Sequence, residues 1–327
     1  MFTPGTFGIA LLMMVTSTVC WGSWANTFKL TKNYRFELFY WDYAIGIVLI
    51  ALVLALTMGS RGGPDSFLNN VHAADASNIV LALLGGVIFN IANLLLVAGI
   101  DMAGLAVAFP VAIGIALVEG VVLSYALQPK GDPVRLGIGV AIAILAVIAD
   151  GKAYGSLTAG RAAASRRSIV VCVVSGLLMG AFAPFVTRAL TAGQPLTSYG
   201  IGVFFTLGAL LCCFVVNVYF MKKPLVGEPV DFRGYFQQRA TDHLLGVLGG
   251  MIWGTGMVFN FVAASLVGVA IAYAIGQAAP MVAALWGVFV WKEFRGANRT
   301  ARGYLAATFV FYLLALSIIA RAYSVAA

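Results

Sequence analysis

Residues 78–127 read NIVLALLGGVIFNIANLLLVAGIDMAGLAVAFPVAIGIALVEGVVLSYAL, a run in which Asp101 and Glu119 are the only charged residues. A helix rises about 1.5 Å per residue and needs about 20 apolar residues to cross a bilayer, so this stretch holds two crossings joined by a short turn near Gly104. A closed barrel would instead alternate apolar and polar positions in segments of about ten. Blocks of the same kind fill the chain on both sides. They predict ten spans, at 7–29, 39–59, 78–100, 103–127, 134–150, 168–190, 197–221, 241–266, 268–291 and 301–322.

Of 327 residues, 61% are apolar and 10% charged, and the mean hydropathy is +0.97. Soluble domains carry about 45–50% apolar and about 25% charged residues, so a water-soluble enzyme is excluded. The 37 glycines are frequent inside the apolar blocks, where small residues let helices approach closely. Cys20, Cys172, Cys212 and Cys213 lie in these blocks without metal-ligand spacing, and His72 and His243 fall near connections, so no metal site and no cofactor are expected. The first six residues lack Lys and Arg, which makes the first block a retained span rather than a signal peptide.

Ten spans put both termini on one side. The odd-numbered connections hold 15 basic residues, among them Lys29, Lys32, Arg35, Lys152, Arg166, Arg167, Arg233 and Arg239; the other side holds five, Arg61, Lys130, Arg135, Arg188 and Arg321. Positive residues are retained in the cytoplasm, so a multi-pass protein of the cell inner (plasma) membrane with both termini outside is expected. The net charge of +8 is then a topology signal spread over short loops beside the lipid bilayer, and no nucleic-acid partner is expected.

The halves are alike. A shift of 164 lays Leu84, Gly85 and Gly86 on Leu248, Gly249 and Gly250, and Gly104, Ala106 and Ala108 on Gly268, Ala270 and Ala272. Shifts of 158 and 156 bring Gly22 onto Gly180, and Tyr43, Ile45 and Gly46 onto Tyr199, Ile201 and Gly202. Five spans is an odd number, so a second copy enters the membrane from the opposite face, the pattern of secondary transporters. The expected fold is an all-α integral membrane protein of ten transmembrane helices as a 5+5 inverted repeat, with repeats at 1–150 and 168–327 and a short basic cytoplasmic linker at 151–167.

Several polar and aromatic side chains fall at membrane depth. Glu119 shares a helical stripe with Ala112, Ala108 and Gly104, so it should face protein. A carboxylate there is costly and offers either a proton-coupling group or a hydrogen-bonded interface residue. Asn90 and Asn93 lie one turn apart and are read as facing one cavity, joined by Asn260 and Gln277; each amide either contacts a solute or bridges helices. Trp21, Trp24 and Phe28 form one stripe, and Trp253 another wall, suited to stacking a planar ligand or packing a core; Trp291 reads as an interfacial anchor. Asp42 opens the second span as a gate or coupling residue, or as a pair with Lys32 or Arg35, and Lys29 snorkels toward headgroups. Pro110, Pro184 and Pro280 interrupt spans, where freed carbonyls can line a cavity.

Trp21-Gly22-Ser23-Trp24, Trp41-Asp42-Tyr43 with its apolar span ending Thr57-Met58-Gly59, Gly85-Gly86 before Asn93, and Tyr125-Ala126-Leu127-Gln128-Pro129-Lys130 together resemble the drug/metabolite transporter superfamily, in the branch of ureide permeases and glucose-rhamnose permeases. The resemblance implies ten spans as five plus five, a central cavity built by spans one to four and six to nine, and cation-coupled uptake. Two departures stand out: residues 151–167 lack the long central segment of plant ureide permeases, and Glu119 has no counterpart in that branch.

The chain thus reads as a secondary active transporter, a proton-coupled symporter that imports a small neutral polar metabolite such as a ureide, nucleobase or sugar. An exporter of drugs or amino acids on the same fold is the alternative, and an intramembrane enzyme lacks a nucleophile–base pair in the spans. Proton or sodium as coupling ion, and monomer or homodimer, are left open. In a cysteine-free background, cysteines placed at Ser60 and Gly160 should react with impermeant thiol reagents from opposite faces of the membrane; labelling from one face removes the topology.

Overall fold

The computed structural model describes residues 1–61, 66–157 and 165–324. Among these, ten helices are long and apolar enough to cross a membrane: α1 (Phe7–Leu30), α2 (Phe36–Thr57), α3 (Ala76–Ala103), α4 (Pro110–Leu127), α5 (Pro133–Leu157), α6 (Arg166–Thr191), α7 (Ser198–Lys222), α8 (Ala240–Val267), α9 (Val269–Phe289) and α10 (Arg299–Tyr323). Large apolar side chains such as Leu12, Val53, Val215 and Leu313 stay exposed on the outside, while Asn78, Asn90, Thr206 and Asp242 are buried within. That is the inside-out polarity of a bundle solvated by hydrocarbon, and the protein is a multi-pass membrane protein.

The expected span ends are met within a few residues except at the start of α4, which lies at Pro110 rather than 103, and at the end of α5, which runs on to Leu157. Residues 151–157 of the expected linker are therefore the last two turns of α5. Ala153 is fully buried there, and the Lys152 ammonium lies 5.4 Å from the Tyr304 ring of α10, contacts that a loop would forgo. The linker stretch 158–164 lies outside the described residues.

Side-chain caps begin several helices. Thr6 Oγ1 accepts the Ile9 N–H, Ser165 Oγ the Ser168 N–H and Thr197 Oγ1 the Gly200 N–H. Glycine ends two others. Gly104 (φ 76°) and Gly268 (φ 90°) close α3 and α8, their N–H groups each donating at 2.8 Å to Ile100 O and Ala264 O. A positive φ costs glycine little, so the chain reverses in one residue and the next helix starts at once.

α3 packs on α6 and α7, α8 on α1 and α2, and α5 on α10. Two crossings are closer than any side chain allows. A Cβ at Gly86 would sit 1.8 Å from the Phe205 carbonyl oxygen, and one at Gly250 2.1 Å from that of Tyr43; Gly208 faces Leu83 O and Gly46 faces Val247 O, both at 2.1 Å. In these contacts Gly86 corresponds to Gly250 at the expected offset of 164. Tyr43 and Gly46, however, correspond to Phe205 and Gly208, an offset of 162 rather than the 156 that matched Tyr43 with Tyr199. Backbone approach follows the missing side chain and is indifferent to neighbouring residue types.

Gly86→Ala should destabilise the protein by about 1–3 kcal/mol through overpacking of α3 on α7. Gly137, with nothing within 4 Å of its Cβ position, should tolerate alanine unchanged. Thermal unfolding in detergent compares the two.

Candidate solute-binding cavity

A cavity of about 440 Å³ runs between the helices. Its inner wall is aromatic. Trp21 of α1 stacks on Trp253 of α8 with ring centroids 5.9 Å apart, Phe89 of α3 stacks on the same indole at 4.6 Å, and Trp24 leans on Tyr43 at 4.8 Å. Phe182 of α6, Phe205 of α7 and Tyr273 of α9 complete it. Such rings supply a large apolar face at little conformational cost.

Polar groups interrupt this wall at few places. Asn93, Asn260 and Gln277 all line the cavity. Asn93 Nδ2 donates to the Tyr40 hydroxyl at 3.1 Å, and Asn260 Nδ2 to Ala272 O at 2.9 Å, so both amides are held in fixed orientation. Trp21 Nε1 is buried without a partner. Gln277 sits where α9 breaks between Val269–Gly276 and Ala279–Phe289, ahead of Pro280. α4 likewise opens in a π-turn, Phe109–Ile113, that contains Pro110. Broken helices at a midplane cavity expose backbone groups where they line protein rather than lipid.

The remaining candidates lie elsewhere. Asn90 is fully buried and turned toward α7, where its Oδ1 accepts from Cys213 Sγ at 3.7 Å and its Nδ2 has no partner. It does not share the cavity with Asn93, because residues three apart diverge by about 60° around a helix. Glu119 packs between α4 and α6, against Gly180, with its Oε2 buried and unpartnered, and is not among the lining residues. Asp42 does not pair with Lys32 or Arg35. Its carboxylate accepts from Tyr34 (2.7 Å) and Tyr235 (2.6 Å) and contacts His243 Nδ1 (2.8 Å), while Arg35 grips Glu37 at 2.8 and 3.2 Å. Burial, with the Asp42 bond added, pushes the Tyr34 and Tyr235 phenols well up, so both remain donors.

The cavity reaches the end where the odd-numbered connections lie. Phe36, Asp101, Asp150, Tyr154, Trp291 and Glu293 line it there, with Lys29. Lys29 does not simply snorkel: its ammonium pairs with Glu293 and lies 4.8 Å over the Trp291 ring. Trp291 is a mouth residue rather than an anchor in lipid, its Nε1 donating to Asn26 Oδ1 at 2.5 Å. At the other end the connections are pinned together. Asp75 and Gln194 exchange hydrogen bonds (3.0 and 2.9 Å), Asn78 Nδ2 donates to Ala192 O and Gln194 O, and Asn70 bridges Pro195 O and the Thr197 N–H.

Residues 66–321 match the family model described as Sugar transport protein. The chain belongs to this transporter family. Among curated relatives, Ureide permease 1 of Arabidopsis thaliana is 24% identical over 381 aligned positions, covering 95% of this chain and 96% of the relative. Ureide permease 2 of the same plant is 22% identical, covering 98% of each. A solved crystal structure shares the fold with a TM-score of 0.63 at 16% identity, covering 98% of this chain and 99% of the other.

Sequence reasoning missed the residues that make this transporter's mouth polar: Asp150, Asp101, Tyr154 and Glu293. Ending the fifth span at 150 put Asp150 at a membrane edge, where a carboxylate needs no account. The signal was the apolar and small run Gly151, Ala153, Gly155 that continues the helix beyond it.

In a cysteine-free background, Val97→Cys on the α3 wall should be modified by an impermeant thiol reagent from the face carrying the odd-numbered connections and protected from the other. Modification from the opposite face would reverse the assignment of the open end.

Proposed function

We propose that this protein is a secondary active transporter that imports a small neutral polar metabolite, a ureide, nucleobase or sugar, by alternating access with proton symport. The observation that carries this reading is a cavity within the transporter bundle, lined by stacked indoles and anchored amides, open at one end and pinned shut at the other. Its volume lies in the usual range of about 300–1,000 Å³ for small-molecule sites. A planar ureide or nucleobase, or one face of a sugar, stacks on Trp21, Trp24 and Trp253, while Asn93, Asn260 and Gln277 bond its polar rim. Asn90 acts behind the wall by fixing α3 against α7. The relatives named ureide permeases support the solute class, and the family name supports sugars as an alternative within it.

Alternating access in this reading comes from two inverted five-helix repeats, 1–150 and 168–327, that exchange arrangements. The matched approaches Gly86–Phe205 and Gly250–Tyr43 support such a relation. The excess of basic residues on the odd-numbered connections supports a plasma-membrane protein with both termini outside, and hence a cavity here facing the cytoplasm. Coupling requires a carboxylate that moves between protonation states. Glu119 between α4 and α6, Asp42 in its cage of donors and the acids of the cavity are the groups available.

Proteoliposomes holding labelled allantoin, uracil or glucose outside should accumulate one of them when a proton gradient points inward and only equilibrate it otherwise. Accumulation of none would overturn the import reading, and gradient-driven efflux of cationic drugs instead would favour an exporter. Trp253→Ala should weaken binding of the accumulated solute by about tenfold or more, as loss of a central aromatic contact does, whereas Leu313→Ala on the exposed face of α10 should leave it unchanged.

A further inference from the structure

Among the described residues Asp150 is the one acid that is both in the cavity wall and almost wholly enclosed. It is 1% exposed, lines the chamber that holds Trp21, Asn93 and Gln277, and its Oδ1 has no hydrogen-bond partner. One turn before it on α5, Ala146 and Val147 pack with Tyr312 of α10 and Ala278 of α9, with Ile113 and Met281 against them. The Tyr312 hydroxyl is also buried without a partner, and Tyr312 and Tyr154 both lie within electrostatic range of Asp150. A carboxylate ionised in such surroundings has lost water without gaining a counter-ion, an expense of several kcal/mol.

Among the described residues no cation in the wall answers that charge. Lys29 is committed to Glu293. Asp101 stands exposed at the mouth. The other two acids at membrane depth are placed differently: Asp42 accepts from two tyrosine hydroxyls and contacts His243 Nδ1, and Glu119 lies outside the chamber. A bound metal cation would need several further oxygen or nitrogen ligands, and among the described residues no group of three His, Cys, Asp or Glu is placed to hold one. A proton needs only the carboxylate itself.

We infer that Asp150 is the site at which this transporter binds and releases its coupling proton, in the same chamber as the solute. The inference rests on the import reading and deepens it. In the arrangement described Asp150 is enclosed and holds its proton; wider opening of the mouth toward the odd-numbered connections admits water to it, hydrates the ionised carboxylate and lets the proton leave to that compartment. Closure around solute expels the water, which an uncharged Asp150 tolerates and a charged one does not, so the loaded carrier crosses only with the proton bound. Without solute the chamber keeps its water, the carrier returns with Asp150 ionised, and no covalent bond in the solute changes. The groups that face Asp150 across the chamber are Tyr154 on its own helix, Tyr312 on α10, and the Lys29–Glu293 pair with Asp101 at the mouth.

Asp150→Asn keeps the shape and removes the ionisation. With whichever of allantoin, uracil and glucose the wild type accumulates, this variant should retain solute-for-solute counterflow and lose gradient-driven accumulation, falling to simple equilibration. Asp150→Glu should restore accumulation with a displaced pH dependence, which a packing role would not produce. Accumulation by Asp150→Asn equal to wild type, or its loss only in Glu119→Gln, would overturn the assignment. Infrared difference spectra of proteoliposomes without solute, taken across a pH step, give a readout independent of transport. The carbonyl band of a protonated carboxylic acid should appear in the wild type and be missing in Asp150→Asn. If no solute accumulates in the wild type but that band is lost with Asp150, the import reading fails and the proton site stands; a band that persists in the variant refutes the site.

Discussion

Hydrocarbon offers no hydrogen bonds and no hydrophobic gain to helices that meet in it, so close backbone contact is what assembles this bundle. The approaches of Gly86 to Phe205 and of Gly250 to Tyr43 are its tightest expressions. They draw α3 and α8 against α7 and α2, and those two helices then present Phe89, Asn93, Trp253 and Asn260 to one chamber. Single-residue reversals at Gly104 and Gly268 follow each of them and bring α4 and α9 alongside without a loop.

The chamber combines two kinds of surface that are rarely compatible. Stacked rings make it rigid and dry, while the amides of Asn93 and Asn260 are already tied to Tyr40 and Ala272 and so lose little freedom on meeting a solute. Preorganisation of this kind converts modest contact into affinity. Among the described residues, the charges that line the chamber are confined to the mouth and to the α5 side, where Lys29 and Glu293 neutralise one another and Asp150 Oδ1 is without a hydrogen-bond partner.

The ten spans and the family were legible in the sequence because apolar length and Trp-Gly-Ser-Trp-type motifs are local properties. The cavity was legible in part: Trp21, Trp24, Asn93, Trp253, Asn260 and Gln277 do line it. Asn90 failed because helical proximity at i, i+3 leaves the facing direction open until the neighbouring helix is known. Asp150 was hidden by a span drawn too short, and Trp291 and Lys29 were read as lipid-facing because the mouth they share is built from α1 and the segment after α9, far apart in the chain.

Asp42 draws its donors from residues that come late. Tyr235 lies 193 positions further on and His243 201. During synthesis the second helix enters the bilayer long before those groups leave the ribosome, carrying an acid with only Tyr34 from the preceding turn to satisfy it. Asp42 therefore gains its full set of partners only once the eighth helix has been made.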